Sequence, residues 1–273
     1  MTQLTNQKIS FIGSGNMAEA MLAGLLAKRL VEPAQVVAAD VMASQRAHIH
    51  HTYGVATTAD NSAAIAGADV VILAIKPQAL AAVAEPLRGQ LAPHALLLSI
   101  LAGTSLGQLS AAFGHSAVVR AMPNTPAQIG LGMSVWTGTA AVSPTQHSQG
   151  QTILSSFGQE LFVAEEKYLD MATAINGSGP GYVFLMLEAM VDAGVQLGFG
   201  REVANQLVLQ TVMGSVQYAI ASDKHLAELR NRVTSPGGTT AAGLHALEEA
   251  GVRAAFANAI RAAYERSVEL SKK

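Results

Sequence analysis

The chain has 273 residues, 50% of them hydrophobic and 13% charged, which is enough to bury a sizeable core and divide into two domains. A formal net charge of −2 with no Lys/Arg block lacks the footprint of a nucleic-acid or anionic-membrane binder, so the expected partner is a small molecule. The absence of cysteine excludes disulfides, thiolate nucleophiles and cysteine metal sites, and leaves redox chemistry to a borrowed group.

Residues 1–8 are polar, with no apolar stretch of signal-peptide length, and no later run approaches a membrane span; the expected location is the cytoplasm. Short apolar runs at 9–12, 36–39, 70–75, 96–101 and 118–122 then alternate with helical patterns. This alternation predicts a doubly wound, mostly parallel sheet covered on both faces. The run 68–75 has no polar alternation, so it reads as a central strand, stopped by Lys76 and Pro77. Strand-like segments at 133–136 and 160–163 flank a helical stretch over 144–157 and finish the sheet.

The strand signal ends near Ala164, so residues 1–164 form one expected domain and 165–273 a second, all-helical one. Helices are predicted over 167–176, 182–197, 201–221, 226–233, 240–250 and 252–273. Two of them, over 182–195 and much of 207–220, are apolar on nearly every face and must be buried all round. So few helices can hardly enclose both, which predicts a large apolar interface with a second subunit; a single well-packed helical core is the alternative.

The first strand runs into Gly13-Ser14-Gly15-Asn16-Met17-Ala18, a G-x-G-x-x-A pattern placed between strand and helix. Gly13 permits the tight turn, Gly15 lets backbone approach a pyrophosphate, and Ala18 allows close helix–strand packing. The helix start adds free N–H groups and a positive dipole. Asp40 follows at the end of the next strand, as a Rossmann-type dinucleotide fold requires. A carboxylate there accepts a ribose 2′-OH and repels a 2′-phosphate, which favours NADH, whereas Arg46 offers a counter-charge; the sequence leaves NAD(H) and NADP(H) both open.

Two segments of the helical half are unlike a plain bundle. Residues 174–181, Ala-Ile-Asn-Gly-Ser-Gly-Pro-Gly, interrupt a helical pattern, at about 1 kcal/mol per interior Gly and about 3 for Pro. They serve either a close backbone approach, to nicotinamide or to a neighbouring subunit, or a simple interhelical turn. Residues 233–240, Val-Thr-Ser-Pro-Gly-Gly-Thr-Thr, form a glycine-rich, hydroxyl-rich loop that feeds a helix. Free N–H groups, dipole and hydroxyls make a receptor for a carboxylate, where capping by Thr239 or Thr240 is the plainer reading.

Five motifs, Phe11-Ile-Gly-Ser-Gly-Asn-Met17, Ala74-Ile-Lys-Pro-Gln78, Arg120-Ala-Met-Pro-Asn-Thr-Pro126, Gly177-Ser-Gly-Pro180 and Thr234-Ser-Pro-Gly-Gly-Thr-Thr240, resemble those of the pyrroline-5-carboxylate reductases along essentially the whole chain. The resemblance implies NAD(P)H-dependent reduction of Δ1-pyrroline-5-carboxylate to L-proline, the last step of proline biosynthesis. It also implies a cofactor site at Gly13, Ser14, Gly15, Asn16, Met17, Ala18, Asn61, Ala74, Ile75, Lys76 and Pro77. By the same resemblance Ser235, Gly238, Thr239 and Thr240 bind the substrate carboxylate, the Thr240 hydroxyl meets the ring nitrogen, and the assembly is a dimer through the helical domain, often built into a decamer. Asn176 and Gly181 stand where relatives usually have Ser and Ala, and Asp40 where many carry a small hydroxyl residue.

A protonated imine is already electrophilic, so alignment is the main task and the hydride belongs to the cofactor. No metal is expected: His48, His50 and His51 lie on a polar predicted helix with no acidic ligand in view. A β-hydroxyacid dehydrogenase would share the two-domain plan but calls for a lysine that residues 182–197 lack. A non-catalytic NAD(P)-sensing protein is the alternative from another class, and the loop ending in Thr240 argues against it.

Overall fold

Eight strands form one sheet in the order β3-β2-β1-β4-β5-β6-β7-β8 in the computed structural model, which describes residues 4–271. Strands β1 (Ile9–Ile12), β2 (Val36–Ala39), β3 (Ala56–Thr58), β4 (Val70–Leu73), β5 (Leu96–Ser99) and β6 (Val118–Met122) are all parallel. Strand β7 (Gly132–Gly138) runs antiparallel to β6 and carries β8 (Gly158–Phe162) parallel to itself. Sheet and doubly wound order agree with the expected Rossmann-type fold.

The apolar strand runs have a direct cause, because alternate residues feed two cores. Ile9, Phe11, Val70, Ile72, Leu96 and Leu98 enter one, with Met21, Leu22 and Leu25 from α1 (Asn16–Ala27). Ile12, Val71, Leu73 and Leu97 enter the other, with Leu87 of α4 (Leu80–Leu87) and Phe113 of α5 (Leu106–Phe113). Each such side chain contributes about 1.5–3 kcal/mol on burial, which a strand with one wet face could collect only at every second position.

Between these elements lie α2 (Ala43–Tyr53), α3 (Asn61–Ile65) and α6 (Pro144–Leu154), followed by α7 (Lys167–Ala172). The chain divides into two compact units, residues 1–180 with 263–273 and residues 181–262. The first unit therefore holds the sheet, the start of the helical half and the end of the last helix.

Within that unit Arg120 of β6 is almost wholly buried and bridges two carboxylates of the α7 region. Its guanidinium donates to Glu166 at 2.8 Å and to Asp170 at 3.2 Å. Glu166 also accepts the Leu106 N–H, and Asp170 the hydroxyls of Ser267 and Ser271. A cation inside a sheet is tolerable only when paired this way. We expect Arg120→Met to lose about 3 kcal/mol of unfolding free energy, because the carboxylates keep their burial and lose their cation. Urea denaturation reads this, and a loss under about 1 kcal/mol would reduce the network to the worth of an exposed pair.

The second unit is helical: most of α8 (Gly179–Gln196), then α9 (Arg201–Ile220), α10 (Leu226–Arg232), α11 (Thr239–Glu249) and the start of α12 (Val252–Ser271). Gly194 lets α8 and α9 touch, since a Cβ there would stand 3.1 Å from Ala204 Cβ. Along these two helices only Val191 and Ala204 are buried. Phe184 is 63% exposed, Leu185 67% and Ile220 79%. A self-contained helical core is thus not what the chain forms alone. Among the described residues no helix is long and apolar enough to cross a membrane.

Candidate active site

Parallel strands in register put their carboxyl ends on one edge of the sheet. Ile12 lies beside both Ala39 and Leu73, and Ala39 beside Thr58. Gly13, Asp40, Asn61 and Ala74 follow those strand ends, so the chain returns to this edge at each predicted cofactor position. Between β1 and β4 the sheet order reverses, which in open α/β sheets opens a crevice for a ligand.

The turn at that crevice is constrained by its neighbour strand. Gly13 has φ +90°, and a Cβ on it would lie 2.6 Å from the Ala74 carbonyl oxygen. The Ala74 N–H donates to Ile12 O at 2.8 Å and the Gly13 N–H to Ala39 O at 2.9 Å, so the turn is tied on both sides. Beyond it, Gly15 caps α1 in extended conformation without a side-chain hydrogen bond, and its Cβ position meets nothing within 4 Å. The N–H groups of Asn16, Met17 and Ala18 therefore open the helix with no capping oxygen, under open space. Ala18 is packed into the core, as expected for the third small residue.

Asp40 joins the turn directly. Its Oδ2 accepts the Ser14 N–H at 2.9 Å and the Ser14 hydroxyl at 3.1 Å, while Oδ1 accepts the Met42 N–H at 2.9 Å. Gln45 of α2 donates to Ser14 O at 2.5 Å, a contact with no signal in the sequence pattern. Strand β4 stops at Leu73, two residues earlier than expected, and Lys76 caps a short turn over Pro77–Ala79. Asn61 is the first residue of α3, next to the cap Asp60, whose carboxylate accepts the Ser62 N–H at 2.9 Å.

The glycine cluster at 174–181 forms no loop. Helix α7 continues through a π turn, Thr173–Gly177, and α8 begins at Gly179. Asn176 is why the turn holds: its amide donates to Met122 O and Met133 O, each at 2.9 Å, and its oxygen accepts from Asn124 at 2.8 Å. Asn124 accepts the Met133 N–H in return, so two amides tie the π turn to the ends of β6 and β7. A serine at 176 could not span both carbonyls.

In the second unit, α11 starts at Thr239, one residue before the predicted Thr240. Gly238 is its cap and no side chain bonds to the first turn, so neither Thr239 nor Thr240 caps the helix. Gly237 has φ +69°, and a Cβ on Gly238 would collide with Ser235 Oγ. The Gly238 N–H donates to Ser235 O at 3.0 Å, which closes the turn beneath the free helix end. Ser235, Thr239 and Thr240 are all exposed at this uncapped helix start.

The histidine helix differs from expectation, because an acidic group does reach it across the gap from α1. His48 Nε2 lies 2.8 Å from Glu19, and the Tyr53 hydroxyl donates to the same carboxylate oxygen at 3.0 Å. His50 is occupied with the Val55 carbonyl, and among the described residues no three metal-binding side chains converge. Burial, and then Glu19, push the Tyr53 phenol up from 10.0 to about 12. The folded state thus holds this proton after the unfolded chain has released it, so stability falls as pH rises from 10 towards about 12. Melting curves should show that part of the alkaline decline missing from Tyr53→Phe; an unchanged decline would mean the phenol has no role in it.

An uncapped helix start at the switch point of a parallel sheet, with a carboxylate fixed beside it, defines a dinucleotide-binding protein of the Rossmann class. Residues 8–103 match the family described as NADP oxidoreductase coenzyme F420-dependent, and 166–270 match pyrroline-5-carboxylate reductase dimerisation. A pyrroline-5-carboxylate reductase of Pseudomonas aeruginosa is 43% identical over 98% of either chain. The solved reductase of Coxiella burnetii superposes with a TM-score of 0.91 at 34% identity, covering 98% of this chain and 100% of its own. That of Plasmodium falciparum, solved with NADP bound, gives 0.90 at 31%, covering 99% and 100%. The chain belongs to the pyrroline-5-carboxylate reductase family.

Proposed function

We propose that the protein reduces Δ1-pyrroline-5-carboxylate to L-proline with a reduced nicotinamide dinucleotide. The observation that carries this is the α11 start, where a glycine turn presents uncapped N–H groups and three hydroxyl side chains, Ser235, Thr239 and Thr240. That donor set suits a small carboxylate without a charged side chain. In this reading Ser235, Gly238, Thr239 and the Thr240 N–H hold the substrate carboxylate, and the Thr240 hydroxyl oxygen accepts the N–H of the protonated imine.

The N–H groups of Gly15 to Ala18 would hold the pyrophosphate, with Ser14 tying Asp40 beside them, Asp40 the adenosine ribose, and Asn61 with Ala74, Ile75, Lys76 and Pro77 the rest of the cofactor edge. The open space over Gly15 and the close Gly13–Ala74 packing fit a dinucleotide there. When bound, the reduced nicotinamide supplies the hydride. The protein's own part is to fix the imine carbon in orientation and to hold the ring proton at Thr240, a proximity effect that can lower the barrier by several kcal/mol.

Helices α8 and α9 would bury their apolar faces against a second copy, giving a homodimer that builds a decamer, in the cytoplasm. The dividing line for function is placed at residue 164, so that the π turn and Asn176 belong to the substrate-binding half. The test is turnover of pyrroline-5-carboxylate with NADH and with NADPH, proline being identified as product. Cofactor oxidation without proline would refute the reading.

A further inference from the structure

The sequence alone leaves the choice of nicotinamide open between Asp40 and Arg46, and the two side chains are placed very differently. The Asp40 carboxylate is fixed by three donors: the Ser14 N–H at 2.9 Å, the Ser14 hydroxyl at 3.1 Å and the Met42 N–H at 2.9 Å. Ser14 is itself only 2% exposed. A carboxylate offers about four lone-pair sites, so one remains on Oδ1 to accept a further hydroxyl. It cannot swing aside for an anion without giving up those bonds.

Arg46 is anchored to the backbone through one of its nitrogens. Its guanidinium donates to the carbonyl oxygens of Asp40 at 2.8 Å and Val41 at 3.1 Å. Residues 40–53 contain no other Lys or Arg. Of the three histidines there, His48 is drawn to Glu19 and His50 to Val55 O, and His51 lies in the last turn of α2, away from its start. A 2′-phosphate at the end of β2 would meet a fixed negative charge on one side. Its remaining attractions would be the α2 helix start and the other nitrogens of Arg46, whose Nη1 is held on two backbone carbonyls.

Resting on the dinucleotide reading of the β1–α1 turn, we infer that this protein binds NADH in preference to NADPH and that Asp40 is the residue that selects. The carboxylate accepts the 2′-OH of one nucleotide and repels the 2′-phosphate of the other.

Binding without substrate is the direct test, by titrating full-length protein with NADH and NADPH and following nicotinamide fluorescence. The expected Kd for NADH is lower by about tenfold or more, which is about 1.4 kcal/mol. Asp40→Ser should cut the ratio to within roughly threefold, mainly by tightening NADPH, and Asp40→Asn, which keeps the shape and an acceptor, should move it the same way. Arg46→Ala should leave the ratio within about twofold. Equal or tighter NADPH binding by the wild type overturns the preference and leaves the dinucleotide site standing. An unchanged ratio in both Asp40 variants overturns the assignment to Asp40. If neither nucleotide binds, the reading of the turn falls, and this inference with it.

Discussion

Gly15→Val should leave a folded protein that no longer binds reduced nicotinamide dinucleotide, with affinity down by at least about a hundredfold, roughly 2.7 kcal/mol. Gly15 has φ −70° and ψ −177°, a backbone that valine adopts freely, and its Cβ position meets no protein atom within 4 Å. The branched side chain would instead occupy the space over the N–H groups of α1, where backbone and pyrophosphate must approach each other. Loss of a favourable cap residue should lower stability by about 1 kcal/mol at most. Gly13→Ala is the contrast: its Cβ would stand 2.6 Å from the Ala74 carbonyl at φ +90°, so it should lose fold stability as well. Calorimetric titration beside a melting curve separates the two, and normal NADH binding by Gly15→Val would remove the turn from the cofactor site.

Thr240→Ala should act at the other end of the reaction. A hydrogen bond to a charged group contributes about 1.5–3 kcal/mol, so kcat/KM should fall roughly ten- to a hundredfold. Thr240 is the second residue of α11, takes no part in capping it and is exposed, so the helix tolerates alanine there. Dinucleotide affinity should be unchanged, because Thr240 is not among the groups that hold the cofactor. Wild-type turnover in this variant would take the hydroxyl out of the mechanism.

The legible parts of the fold are those where one pattern serves two cores. A run such as Val70-Val-Ile-Leu73 is apolar at every position because Val70 and Ile72 feed one face and Val71 and Leu73 the other. Strand β3 is short, with no fully buried residue, so Ala56-Thr-Thr58 carries no apolar signal. The apolar pattern is silent on the direction of β7, although chain length encodes it: only residues 123–131 separate β6 from β7, too few for a parallel crossover.

At the site, glycines are legible because strand, glycine and helix in that order suit a phosphate-binding turn and little else. The side chains that fix those glycine segments are not, since their partners are remote in sequence. Position and charge point Asp40 at a ribose, yet its bonds to Ser14 depend on β1 and β2 being neighbours. In the sequence Asn176 is only a departure from serine, and its purpose appears once Asn124, Met122 and Met133 converge on it. Glu19 reaches His48 only because α1 and α2 cover the same core, to which they contribute Met21 and Ile49.

A crystal structure of the protein with dinucleotide and proline tests the roles proposed for the starts of α1 and α11 at once. It should show pyrophosphate oxygens on the N–H groups of Gly15 to Ala18, and the proline carboxylate on Ser235, Gly238 and Thr239 with its nitrogen at the Thr240 hydroxyl. A proline carboxylate held anywhere other than that turn, whichever subunit supplies it, would contradict this arrangement.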